Sequence, residues 1–333
     1  MSRSVIYLNR RGRKFSRSRA RQWWRTSAPM VVSAGADLVS IGVDVVSIGV
    51  VSIGDDVLSI GDDVIHPTGN IMRANIDSRD GGSVGSVAIG KAAIVWEILQ
   101  AEQSSKLFNA QNPDMIREIK YDDTWLSYFL SMLVSSLKRE QATNLLRNVT
   151  IINFNYDRTI EHFLFNRLQT NLGLDREEAG QALGALTANM IRPYGSVGPL
   201  PWQQDQGAVP YGFFLSRDHE RLFALSENIR TYTEQNVSGS LRSGIGTALQ
   251  NARLVVFLGF GFHQQNMALL QATGSHEPWR RVIGTVQGVD SENWELMKIS
   301  ISHATKCQSP TLVQLLDRSA HVLLSSMRPS LMV

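Results

Sequence analysis

Hydrophobic positions along the chain change period repeatedly, and each change predicts an element. Ile89, Ala92, Ala93, Trp96 and Leu99 recur at helical spacing and run into Glu102, while Trp125, Phe129, Leu133 and Leu137 form a second such stripe. Asn148 to Asn155, NVTIINFN, is a β-branched run that reads as a buried strand with polar ends, and Thr159 to Leu172 returns to helical spacing. Ala188 to Ile191 predicts a weaker strand leading into Arg192-Pro193-Tyr194-Gly195-Ser196. Leu241 to Asn251 predicts a helix, and Ala252 to Leu258, ARLVVFL, gives the strongest strand signal in the chain. That strand stops at Gly259-Phe260-Gly261-Phe262, a helix follows through Met267 to Leu270, and Val282 to Val286 predicts a further strand. Strands of continuous apolar character alternating with helices predict an α/β domain, its parallel sheet covered on both faces. Ligands in such domains sit beyond the carboxyl ends of the strands, so the polar residues there are the candidates for chemistry.

The first 75 residues follow a different pattern. Residues 1–30 form a leader in which Arg and Ser interleave around Trp23 and Trp24, and its composition predicts disorder. Residues 31–75 carry Val39-Ser40-Ile41-Gly42 again at Val46, at Val51 and, with Leu for Val, at Leu58. Offsets of seven, five and seven would not stack in register, so the segment reads as irregular rather than as a solenoid. From about Ala88, within a domain placed at residues 76–325, the texture becomes that of an ordinary globular protein.

Charge shifts this picture only at the leader. Nine of the 33 basic residues precede the first acid, Asp37, which leaves 24 against 30 acids and a body near −6. The basic leader could meet nucleic acid or an anionic surface, whereas the acidic body argues against a broad phosphate-binding face. A single cysteine, Cys307, excludes an intrachain disulfide and a four-cysteine zinc ribbon. No histidine spacing of the HExxH type occurs, so neither zinc nor another metal is expected. No stretch approaches a membrane span, and an arginine-rich start lacks the apolar core of a secretory signal, so the expected location is the cytoplasm.

Three strand ends carry candidate chemistry. Asn155 and Asp157 stand two residues apart where a strand turns to a helix: an amide can hold a hydroxyl or a water, and a carboxylate can grip a ribose. The plain alternative makes Asp157 a helix cap. Tyr194, Gly195 and Ser196 follow the second strand, and Gly259, Gly261, Phe262 and Asn266 follow the third, with backbone N–H groups at a helix start suited to phosphate.

In order and spacing, INFNYDRTIEHFL, PYGSVGPLPW and VVFLGFGFHQQNMALL resemble the sirtuin-like NAD-binding superfamily, in bacterial members of which strands end in FNYD, YGS and GFGF. IGKAAIVWEILQAE and TWLSYF are similar to the helices ahead of FNYD, so the resemblance spans roughly Ile76 to Met297. It implies a Rossmann-like parallel sheet flanked by helices that binds NAD and, in active members, cleaves the nicotinamide–ribose bond. Asn155 would orient the ribose and the attacking water, with Asp157 beside it and Tyr194 in the catalytic loop. Asn155, Gly195, Ser196, Gly259, Gly261, Phe262 and Asn266 would line the dinucleotide.

The chain departs from that pattern twice. Where the superfamily has a strand followed by GAGAS, only Val31 to Asp37, VVSAGAD, is found. The expected histidine of the second loop is absent. Tyr194 precedes Gly195, Arg192 stands two residues earlier, and reference pKa values near 10 and above about 12 make neither a general base near neutrality. His263 is the nearest substitute, and His162 reads as a packing residue. The implied function is NAD hydrolysis of the bacterial-defence type, without the zinc cysteines of protein deacylases. The alternative is a catalytically inactive protein of the same fold that binds a nucleotide or a partner. Either reading admits an oligomer.

Overall fold

The computed structural model describes residues 82–331, except 117–123, 136–137, 145–148, 204–205, 214–217, 232–237, 273 and 276–279, together with four two-residue strands ahead of them. Those are β1 (Tyr7–Leu8) paired antiparallel with β2 (Lys14–Phe15), and β3 (Val64–Ile65) paired antiparallel with β4 (Ile71–Met72). The rest of the basic leader, the whole Val-Ser-Ile-Gly repeat and Val31 to Asp37 lie outside the described residues.

In the body, β5 (Ile151–Ile152) pairs in parallel with β6 (Met190–Ile191). A second parallel sheet has the order β7 (Leu254–Phe257), β8 (Arg281–Thr285), β9 (Val313–Leu316). Alternation along these strands divides their side chains between two cores. Ile151, Val256, Leu258 and Ile283 enter one, with α2 (Trp125–Val134), α3 (Thr159–Leu172), α4 (Arg176–Asn189) and α9 (Ala320–Leu331). Ile152, Val255, Phe257, Val282, Val313 and Leu315 enter the other, with α6 (Gly239–Asn251), α7 (Gln264–Leu269) and α8 (Trp294–Thr305). Helices therefore cover both faces, as the continuous apolar strands required. A third cluster joins α1 (Gly82–Ser104) to α5 (His219–Ser226) through Trp96, Leu99, Leu222 and Leu225, and it includes Tyr156 of the first candidate loop. None of the described helices is long and apolar enough to cross a membrane.

Local chemistry places the boundaries. In α4, Asp175 and Glu178 form a reciprocal capping box, and α3 ends at Gly173 in the left-handed conformation. The strand read over Asn148 to Asn155 is cut to two residues. Asn153 N–H still donates to the Ile191 carbonyl at 2.8 Å, but Asn153 Oδ1 then accepts Asn155 N–H at 2.9 Å, so a side chain takes the place of the ladder. The second strand begins at Met190 rather than Ala188 because α4 continues to Asn189.

At the other end of the strands, Arg280 is fully buried and donates to the carbonyls of Gln250, Ala252 and Thr305. These oxygens close α6 and α8, where unsatisfied carbonyls and the helix dipole favour a cation.

Candidate functional site

β5 delivers Phe154, Asn155, Tyr156 and Asp157 to a rim shared with the loop after β6. Tyr156 carbonyl accepts Val197 N–H at 3.1 Å, its hydroxyl donates to the Arg230 carbonyl at 2.7 Å, and Arg230 N–H donates to the Tyr194 carbonyl at 2.8 Å. Residues 194–197 are thus stitched between the first loop and Asn228–Arg230. Gly195 makes the close approach possible: its φ is +79°, and a Cβ there would lie 2.0 Å from the Asn228 carbonyl oxygen.

The third strand end closes on the same place. Tyr194 hydroxyl donates to Asn266 Oδ1 at 2.7 Å. Beneath it, the Phe154 ring meets Tyr194 edge-on at 5.7 Å and Phe260 at 5.6 Å. The structure therefore brings all three sequence motifs together. Burial pushes the Tyr194 phenol up to about 12, so this group acts as a fixed hydrogen-bond donor. Arg192 is a clamp: it donates to the Asn155 carbonyl at 2.7 Å and to Glu161 Oε1 at 2.6 Å.

Side chains able to hold a polar ligand stand around this aromatic floor. The Asn155 amide and the Ser196 hydroxyl are partly exposed and make no side-chain hydrogen bond among the described residues, and the Asn266 amide nitrogen is left to donate. Gly259 has φ +58°, but its N–H is committed to Thr285 Oγ1 at 2.8 Å, so it offers close backbone approach rather than a donor. Phe262 takes φ +52°, a left-handed conformation costly for a bulky residue, with its ring 4.8 Å from Phe260 and 5.3 Å from Phe257. Gly261 is exposed, and the ring of His263 folds over it. The helix after this turn, α7, has only six residues, which leaves little dipole to hold a phosphate. The amide and hydroxyl groups suit a ribose better than a pyrophosphate. Among the described residues no three His, Cys, Asp or Glu side chains are grouped to hold a metal.

Asp157 is partly withdrawn from solvent. Its Oδ1 accepts Thr159 N–H at 3.0 Å, which satisfies the first N–H of α3 from the position ahead of the N-cap, Arg158, whose own side chain makes no cap bond. Burial raises its pKa most, the Glu102 charge raises it further, and the bonds from Thr159 and the charge of Arg192 oppose the rise.

Behind the rim lies a network that sequence reading missed. Glu102 and Arg158 are 2% and 1% exposed. Glu102 Oε1 accepts the backbone N–H and Nε of Arg158 at 2.9 and 3.1 Å, while Oε2 accepts Arg158 Nη2 at 2.5 Å and Gly212 N–H at 3.0 Å. Arg158 also donates to the carbonyls of Val209 and Pro210. A lone glutamate at the end of an apolar helix, with an arginine next to the motif aspartate, was the available signal.

His162 stacks on Tyr211 with centroids 4.1 Å apart, and its Nε2 is buried without a partner among the described residues. Burial first, then the Arg158 charge, lowers its pKa from 6.5 to about 3. The folded state holds it neutral while the unfolded chain protonates, so its contribution to stability is complete above pH 6.5 and is lost as pH falls toward 3. His162→Phe is expected to flatten the acid limb of a urea-midpoint-against-pH curve, by at most about 1.4 kcal/mol per pH unit. An unchanged acid limb would show that His162 does not titrate with folding.

No protein-family model, curated protein or solved structure matches the chain.

Proposed function

We propose that the body is a Rossmann-like, sirtuin-like domain that binds NAD at the rim of Phe154–Asp157, Tyr194–Ser196 and Gly259–Asn266 and hydrolyses its nicotinamide–ribose bond. The observation that carries this reading is the Tyr194 to Asn266 hydrogen bond of 2.7 Å, which with the Phe154, Tyr194 and Phe260 rings holds three distant loops at one place. Cleavage of a glycosidic bond develops positive charge on the ribose, so oriented amides and a carboxylate accelerate it by position and electrostatics. In this reading Asn155 holds the ribose hydroxyls and the attacking water, and Asp157 faces the developing charge.

Purified protein is expected to release nicotinamide from NAD, and Asn155→Ala is expected to lose about 100-fold or more in kcat. Release by both proteins at one rate would remove Asn155 from the chemistry. The second reading, an inactive nucleotide binder, draws on the committed Gly259 N–H and on Tyr194 holding the place of a base. Saturable NAD binding without nicotinamide release by the wild type would favour it.

A further inference from the structure

Hydrolysis moves a proton off the attacking water, and among the described residues neither nearby histidine side chain is hydrogen-bonded to the three loops of the rim. His263 lies exposed over Gly261, and His162 is buried and neutral. Asp157 instead opens onto a row of hydroxyls. Thr159 donates its N–H to the Asp157 carboxylate at 3.0 Å and keeps its hydroxyl beside the same group, Thr159 Oγ1 lies 3.0 Å from Tyr211 Oη, and Tyr211 Oη lies 3.2 Å from Ser105 Oγ. Thr159 and Tyr211 are buried, whereas Ser105, just past the end of α1, is partly exposed. The row thus leads from Asp157, through two buried hydroxyls, to a partly exposed one after α1.

Resting on the hydrolase reading above, we infer that Asp157 accepts the proton of the attacking water and passes it to solvent through the hydroxyls of Thr159, Tyr211 and Ser105. The water oxygen bonds to the anomeric carbon as the carbon–nitrogen bond breaks, and the bonding pair leaves with the nicotinamide ring nitrogen. One water proton goes to the Asp157 carboxylate. Each hydroxyl then accepts a proton on a lone pair while releasing its own, which a hydroxyl can do because it is donor and acceptor at once. The carboxylate is restored and the proton ends on bulk water.

The surroundings of Asp157 fit the task. Burial first and then Glu102 from α1 favour the protonated form, while the bonds from Thr159 and then Arg192 after β6 oppose it. The balance lies above an ordinary carboxylate, which improves a proton acceptor. The neighbouring Arg158 is occupied by Glu102. Burial and the charges of Glu102 and Asp157 push the Tyr211 phenol well up, so it relays by concerted exchange and does not rest as phenolate.

Nicotinamide release by the full chain is measured across the acid and neutral range, in ordinary and heavy water, for wild type, Thr159→Val, Thr159→Ser, Tyr211→Phe and Ser105→Ala. Tyr211→Phe keeps the ring on His162 and removes only the hydroxyl. Thr159→Val and Tyr211→Phe are expected to lower kcat by about 100-fold with KM unchanged, and to alter both the pH profile and the solvent isotope effect. Thr159→Ser is expected to restore them, and Ser105→Ala, at the accessible end, to show a smaller fall in the same direction. An active wild type whose Thr159→Val, Tyr211→Phe and Ser105→Ala variants keep its kcat, pH profile and isotope effect would overturn the relay alone. A wild type that releases no nicotinamide would overturn the relay together with the hydrolase reading.

Discussion

Glu102→Ala is expected to cost about 3–5 kcal/mol of unfolding free energy, the range seen when one partner of a buried ion pair is removed. The substitution leaves the Arg158 guanidinium in a closed interior with the Val209 and Pro210 carbonyls as its remaining partners, and it orphans the N–H groups of Arg158 and Gly212. Most of the loss comes from the uncompensated cation, because taking two charges out of water already consumes much of their mutual attraction. The double variant Glu102→Leu with Arg158→Met therefore should recover most of the stability. Urea denaturation of the two proteins tests the argument, and a single-variant loss under about 1 kcal/mol would contradict it. The damage also reaches the rim: Glu102 fixes the backbone directly after Asp157, so on the proposed reading Glu102→Ala should weaken NAD binding as well as folding.

Gly195→Ala is expected to be as severe, at about 3 kcal/mol or more, for a reason that burial alone would not reveal. The new methyl group would stand 2.0 Å from the Asn228 carbonyl oxygen at a φ of +79°, so the chain must abandon either the conformation or its approach to Asn228–Arg230. Gly207 supplies the control. Its φ is +84°, but no described residue lies within 4 Å of the added atom, so Gly207→Ala should cost only the conformational penalty of about 1–2 kcal/mol. Melting temperatures of the pair separate overlap from strain, and equal shifts would mean that the Gly195 backbone relaxes freely.

The sequence made legible what depends on local period. Thr159 to Leu172 is helical over its predicted range, and Ala252 to Leu258 contains β7, because apolar spacing and β-branched runs act within a few residues. The helix begun near Ala88 starts earlier, at Gly82, and α4, α5, α8, α9 and β9 went unread. In α4 a weak apolar stripe is compensated by a capping box, which periodicity does not register. The candidate residues were legible as types at strand ends, and their meeting was not: Tyr194 and Asn266 are 72 positions apart, and only folding sets them 2.7 Å from each other. The buried pair of Glu102 and Arg158 was hidden for the same reason. A glutamate on a predicted helix reads as solvent-facing until a partner arrives from 56 positions away.

Arg280 gives the molecule a direction. One planar guanidinium gathers the closing carbonyls of two helices just ahead of β8, at the pole opposite the glycine-rich turns. Cohesion is concentrated at one pole and the candidate site at the other, with the strands as the shaft between them. Residues of the loops around Asn155, Ser196 and Gly261 can drift toward a new ligand without loosening this keystone. A change at Arg280 would slacken both helices at once while touching none of the candidate site residues.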